Sequence, residues 1–297
     1  MSEMRVIVLF PGALGDFCLL APALAALTTR GARIELCVQR SLAPLVAMLL
    51  PGVTLGPPVD GASMAALFAE EIPATLREWL RSADHLYAWL GSVAGRVRAH
   101  FDALGLPVHL HAVPRSDGER HVGEEYAAAF GLGGSPAPIQ VRPPEPAIAL
   151  PWRRVGSDRL VVHPGAGARA KRWSGPGFRR VADAWAGAGG EVAVLLGPAE
   201  EDDAGAWSAA GYEPSTRLSL RDAAGLMGSA PLWVGNDSGM SHLAAALGRR
   251  GAVLFGPTRP RRWGPLGSLA TVVFPGRSVD AVSQEVLRLL RAPITSP

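Results

Sequence analysis

The chain has 297 residues, 48% of them hydrophobic and 19% charged, which excludes global disorder and leaves enough apolar side chain for two cores. Its 35 glycines and 26 prolines follow no period, so a collagen-like repeat is excluded. The formal charge of +3 divides into −3 over residues 1–150 and +6 over residues 151–297, with no long Lys/Arg run, which argues against a nucleic-acid partner.

In chain order, Val6–Phe10 reads as a buried strand and Gly12–Asp16 as a tight loop. Phe17–Thr28 reads as a helix and Arg33–Val38 as the next strand. Ser41 is placed to cap a further helix that ends at Pro51-Gly52. Val53–Leu55, His85–Trp89 and Val108–Ala112 read as strands, and Gly91–Leu104 and Glu119–Phe130 as helices. Gly131–Pro151 is dense in glycine and proline and reads as a stiff connector. Beyond it, Leu160–His163 and Glu191–Leu196 are predicted strands, with a helix from Pro176 to about Ala188 between them. Leu218 is placed in a short strand and Asp222–Met227 in a short helix. Leu232–Gly235, Gly239–Leu247, Ala252–Phe255 and Val279–Leu290 complete the pattern as strand, helix, strand and helix.

Short apolar runs alternating with helical stretches on both sides of a proline-rich connector predict two βαβ domains, residues 1–150 and 151–297, facing a cleft. Ligands in such folds bind beyond the carboxyl ends of the strands. Pro11, Gly12, Gly15 and Asp16 interrupt the N-terminal apolar run, which disfavours a signal peptide. No run is long enough to span a membrane, so a cytoplasmic protein is expected. Cys18 and Cys37 read as reduced core thiols, and no metal-ligand cluster is visible.

Four loops at predicted strand ends carry the chemistry. In Gly12-Ala13-Leu14-Gly15-Asp16, the carboxylate either caps the following helix or serves as a general base. The spacing lacks the dinucleotide fingerprint, and the second strand ends in Val38-Gln39-Arg40 without an acidic residue for a ribose, so an oxidoreductase is disfavoured. The segment His163 to Trp173 combines Gly165 and Gly167 with Arg169, Lys171 and Arg172, which suits phosphate, although Lys171 is not followed by the Ser or Thr of a Walker A loop. Lys171 is the only lysine, and the other 28 basic residues are arginine. An ammonium is a compact point charge that a guanidinium does not mimic. In Gly235-Asn236-Asp237-Ser238-Gly239-Met240-Ser241-His242, Asp237 or Ser238 is positioned to cap a helix whose N-terminus would receive an anion. Phe255 to Pro265 crowds Arg259, Arg261 and Arg262 as either a solvated rim or an anion clamp.

Together these pieces resemble the heptosyltransferases of glycosyltransferase family 9. The matching residues are Gly15-Asp16 with Pro22, Pro164-Gly165-Ala166 with Lys171-Arg172-Trp173, Asn236-Asp237-Ser238-Gly239 with His242 and Ala244–Ala246, and Phe255-Gly256-Pro257-Thr258. Ser174 stands where the family usually has proline. The resemblance implies a GT-B fold of two Rossmann-like domains, with the acceptor on the first and a nucleotide-sugar on the second. It also implies a terminal helix, 279–290, packing back on the first domain. The implied reaction is inverting and metal-independent transfer of heptose from ADP-heptose to a lipopolysaccharide inner-core acceptor, without a cofactor, at the inner membrane. Two alternatives are a GT-B transferase using another nucleotide sugar and a non-catalytic nucleotide-sugar-binding protein. In this scheme Asp16 is the base and Lys171 stabilises the leaving diphosphate. Gly165, Ala166, Asp237, Ser238, Gly239 and His242 hold the donor, with Glu200 or Glu201 at the nucleoside. Gly12, Arg96, Arg98 and Arg261 are expected on the acceptor side, with Arg115 and Arg120 as further cations for an anionic glycolipid.

Overall fold

The computed structural model describes residues 3–90, 95–145, 147–152 and 158–292. The chain divides into two compact units, Met1–Ala137 and Pro138–Pro297.

The first unit runs β1 (Met4–Leu9), α1 (Leu14–Thr29), β2 (Ala32–Cys37), α2 (Ala43–Leu49), β3 (Thr54–Leu55), α3 (Ala62–Ala65), α4 (Ala74–Arg81), β4 (His85–Ala88), α5 (Arg96–Asp102), β5 (Val108–Leu110) and α6 (Val122–Ala129). Its parallel sheet has the order β3-β2-β1-β4-β5. β1 lies centrally, in register with β2 from Met4↔Ala32 to Leu9↔Cys37. Val6 to Phe10 are almost completely buried, as a strand covered on both faces requires. The apolar stretch after Asp16 is the buried side of α1, which packs against α6.

The second unit runs β6 (Arg159–His163), α7 (Gly175–Gly187), β7 (Glu191–Val194), α8 (Ala204–Ser208), α9 (Leu220–Gly228), β8 (Leu232–Asn236), α10 (Gly239–Ala246), β9 (Arg250–Phe255), α11 (Pro260–Trp263), β10 (Leu269–Val273) and α12 (Val279–Arg291). Its parallel sheet has the order β10-β9-β8-β6-β7. Leu160, Val162, Phe178, Val181, Val234 and Leu254 centre its core. Among the described residues no helix is long and apolar enough to cross a membrane.

Several expectations shift. α1 begins at Leu14, so Asp16 belongs to its first turn rather than to a loop. Ser41 lies inside a 3₁₀ turn, Arg40–Leu42, and does not cap α2, which starts with Pro44 in its first turn. The helix expected from Gly91 starts at Arg96, and residues 91–94 lie outside the described residues. α3, α4, α11 and β10 fall where nothing was predicted, although Leu76 and Leu80 give α4 a buried stripe at helical spacing. Leu218 is not in a strand. The contact with β7 comes earlier, as an isolated bridge between Leu195 and Ser215, and Arg217, at φ 56°, turns the chain before Leu218.

The proline-rich connector divides from the first unit at Ala137/Pro138 rather than at residue 150, because it is bound along the second. Val141 N–H donates to Ala246 O, Pro143 fills the space beside Gly228, and Trp152 Nε1 donates to Ser229 Oγ at 2.6 Å. Pro146 lies outside the described residues. The buried face of α12, Val282, Val286 and Leu290, joins the core of its own unit and packs on α7 and β9. Cys18 and Cys37 are buried free thiols, their ionisation pushed up chiefly by burial.

Gly251, in β9 opposite Trp233, has φ 129°, and a Cβ there would collide with the Trp233 carbonyl. That carbonyl cannot yield, since it is backbone in the paired strand β8. Gly251→Ala is therefore expected to cost at least about 2 kcal/mol in denaturant unfolding. A variant as stable as wild type would contradict this packing.

Candidate functional site

The loops that follow β6, β8 and β9 meet at the carboxyl end of the second sheet, and Asn236 ties two of them. It is the last residue of β8 and fully buried. Its Nδ2 donates to Pro164 O at 2.7 Å, and its Oδ1 accepts the Trp173 N–H at 2.9 Å. One amide side chain thus holds both ends of the loop after β6. Trp173 anchors the far end, buried and edge-on to Phe178. Ser174, where the family pattern has proline, caps α7, its Oγ accepting from Gly177 N–H at 3.3 Å.

The loop held in this way delivers Lys171, whose Nζ lies 2.8 Å from Asp237 Oδ2. The Asp237 side chain is only 4% exposed and that of Lys171 32%. A carboxylate buried to this degree needs a charge partner, and the single lysine supplies it. Thr258, after β9, donates from Oγ1 to the same Oδ2 at 2.6 Å.

Asp237 therefore spends its carboxylate on Lys171 and Thr258 and does not cap α10. Ser238 holds the capping position but makes no side-chain cap. Its Oγ is buried without a protein partner among the described residues. Gly239 opens α10, and His242 lies buried one turn further on. An uncapped helix start beside an unsatisfied hydroxyl is a receptor for an anion. Below it, Ser241 Oγ donates to Asn236 O at 2.7 Å and accepts from Trp233 Nε1 at 3.1 Å, fixing the turn from β8 into α10.

Arg172 turns to another partner. It lies 2.7 Å from Glu200 Oε1, close enough for an ion pair although not aligned as a hydrogen bond. Its guanidinium also donates twice to Ala166 O at 3.1 Å. Glu200 is 3% exposed, and a Cβ on Gly165 would collide with its carboxylate. Gly165 and Ala166, expected to meet a donor, thus also serve the loop's own packing. Of the two nucleoside candidates, Glu200 faces inward under this loop. Glu201 accepts from Arg217 at 2.9 and 3.0 Å in a half-exposed pair, which holds it below the usual carboxylate range. His163 is buried, its Nδ1 2.8 Å from Leu195 O, and burial lowers its pKa to about 4, so it is neutral at pH 7.

In the first unit, Asp16 is the third residue of α1, and the capping position is Ala13. Tyr126 of α6 donates to Asp16 Oδ1 across a long 3.4 Å. Tyr126 is buried edge-on against Phe10 and Trp89. Gly12 makes room for the Phe10 ring, so its requirement is met inside the unit. Arg96 and Arg98 lie exposed on α5, Arg98 paired with Asp102 at 3.0 Å. Arg115 pairs with Asp117 at the surface, and Arg120 is exposed. In the second unit Arg261 is exposed, whereas Arg262 is 2% exposed with its guanidinium over Trp263, so it is not part of a solvated rim. Among the described residues no three His, Cys, Asp or Glu side chains converge as a metal-binding group.

A family model described as glycosyltransferase family 9 (heptosyltransferase) matches residues 118–286. The solved structure of ADP-heptose LPS heptosyltransferase II from E. coli is 20% identical, with 97% of this chain and 98% of that one covered and a TM-score of 0.73. A family 9 glycosyltransferase from Veillonella parvula is 17% identical, with 97% of each chain covered and a TM-score of 0.73. E. coli heptosyltransferase WaaC with ADP is 21% identical, with 96% and 99% covered and a TM-score of 0.68. No curated protein matches the chain in sequence. The α/β fold is that of the GT-B heptosyltransferases.

Asn236→Ala leaves a buried N–H and a buried C=O unpaired, and is expected to cost about 2–5 kcal/mol in urea unfolding. A loss within experimental error would contradict the two-ended tie. His163 gives a pH signature. Its ring takes a proton more readily in the unfolded chain, near pH 6.5, than in the fold, near 4. Stability therefore falls as pH drops through this window, by about 2 kcal/mol between pH 6.5 and 5 for this group alone. In a His163→Gln variant that part of the slope is expected to disappear. An unchanged slope would contradict a buried neutral imidazole.

Proposed function

The chain belongs to glycosyltransferase family 9, the heptosyltransferases, and is a glycosyltransferase; from that premise we propose that it transfers a heptose from ADP-heptose to a hydroxyl of an anionic lipopolysaccharide inner-core acceptor, with inversion and without a metal ion. The observation that carries the reading is the Lys171–Asp237–Thr258 group beside the uncapped start of α10. It sets a cation, a buried carboxylate and an uncapped helix start at the end of one sheet. The solved relatives named as ADP-heptose and ADP-bound heptosyltransferases support the choice of donor.

The chemistry divides between the units. Asp16 takes the proton of the acceptor hydroxyl as its oxygen attacks the anomeric carbon. The bond from that carbon to the diphosphate breaks on the opposite side, and ADP departs with the electron pair. Negative charge grows on the diphosphate at that moment. The Lys171 ammonium and the N-terminus of α10, with Ser238, Gly239 and His242, are the groups placed to stabilise it. Asp237 accepts a hydrogen bond from a hydroxyl of the donor sugar. The nucleoside lies at the turn Gly197–Glu201, where Glu200 and Glu201 offer the carboxylates. The acceptor is reached by peripheral contact with the cytoplasmic face of the inner membrane.

Asp16→Asn is expected to lower turnover by about 10²–10⁴-fold while leaving ADP affinity near wild type. A variant that keeps most of its activity removes Asp16 as the base. Lys171→Arg keeps the charge and changes its shape. We expect a loss of at least about tenfold in turnover, or about 1.4 kcal/mol in the barrier. Equal rates in an ADP-heptose transfer assay would mean that any cation serves at this position.

A further inference from the structure

We infer that Thr258 is a positioning residue for donor-sugar recognition, acting through Asp237; this rests on the donor site proposed above. Asp237 receives contacts from two sides, and both fall on Oδ2: the Lys171 ammonium at 2.8 Å and the Thr258 hydroxyl at 2.6 Å. Neither contact uses Oδ1, the oxygen that this inference gives to the sugar. The two partners do different work. An ammonium attracts a carboxylate from many angles and holds its charge without fixing its rotation. A hydroxyl is directional and fixes which oxygen points where. With Lys171 alone, the carboxylate can turn and spend both oxygens on the ammonium. With Thr258 in place, Oδ2 is committed and Oδ1 stays available to a sugar hydroxyl.

The surrounding backbone preserves this geometry. Asp237 N–H donates to Leu254 O, which fixes the end of β8 against β9. Gly256 lets the turn that carries Thr258 pass close to the backbone carbonyl of Ala170, next to Lys171. The three loops are therefore packed against one another where Thr258 meets Asp237. An isosteric loss of the hydroxyl should impair recognition of the sugar and leave recognition of the nucleotide alone.

Thr258→Val and Thr258→Ser test this. In calorimetry, Thr258→Val is expected to bind ADP-heptose at least about tenfold more weakly than wild type and ADP within about twofold of it, with Thr258→Ser close to wild type for both. A Thr258→Val protein that binds ADP-heptose like wild type, or that loses both ligands equally, overturns the assignment. A second readout needs no donor. Lys171 is the only lysine, so protein labelled with ¹³C-lysine gives one side-chain Cε–Hε signal. In the ligand-free protein that signal is expected to shift in Thr258→Val and to return in Thr258→Ser. A Thr258→Val signal superimposed on wild type overturns the contact whatever the donor. If wild type binds ADP-heptose no better than ADP, the donor reading fails, and the Lys171 signal still decides for or against Thr258.

Discussion

The second unit's site depends on one buried amide. Asn236 ends the central strand and spends both faces of its side chain on the loop that follows β6, taking the Trp173 N–H and giving a hydrogen bond to Pro164 O. Without that tie the loop would have to satisfy these backbone groups elsewhere, and they are too buried for water to do it cheaply. With it, the loop's two ends are pinned, and its middle delivers Lys171 to one carboxylate and Arg172 to another. No aliphatic side chain could replace it, because the loop needs a donor and an acceptor from the same residue.

The charges of the site are arranged in compensated pairs. Lys171 faces Asp237 and Arg172 faces Glu200, and both carboxylates are almost completely buried. Such pairs contribute little net stability, since desolvation offsets their attraction, but breaking one strands a buried charge. Their value here is placement. Each cation is held at a defined point by its carboxylate, which is the preorganisation that the proposed leaving-group chemistry requires. The start of α10 adds the complementary feature. Its capping position is held by a serine that does not cap, and the N-terminal groups stay open toward the same end of the sheet.

Much of this was legible in the sequence, for local reasons. The strands of both sheets are short apolar runs, and an apolar run flanked by glycine and proline has few other fates in a soluble fold. The lone lysine and the Asn236–His242 segment were visible because their chemistry lies within a few adjacent residues. The rest depends on pairs far apart in the chain. Arg172 and Glu200, Asn236 and Pro164, and Asp16 and Tyr126 meet only after the sheets form. Gly165 reads as part of a donor site, and its nearest constraint is the carboxylate of Glu200. The connector shows the same limit. Proline content marks a connector, but composition does not tell a free linker from a strap, and contacts at Gly228 and Ser229 make it a strap. Arg217 hid the bridge at Ser215, because nothing in an arginine announces a positive φ.

The central claim is that the second unit holds an ADP-activated sugar without help from a metal. Calorimetric titration of the whole protein with ADP, UDP and GDP, each with and without magnesium, tests it most directly. The account predicts selective binding of ADP with an affinity that does not change when magnesium is added. Preference for UDP or GDP, a requirement for magnesium, or failure to bind any of the three would contradict it.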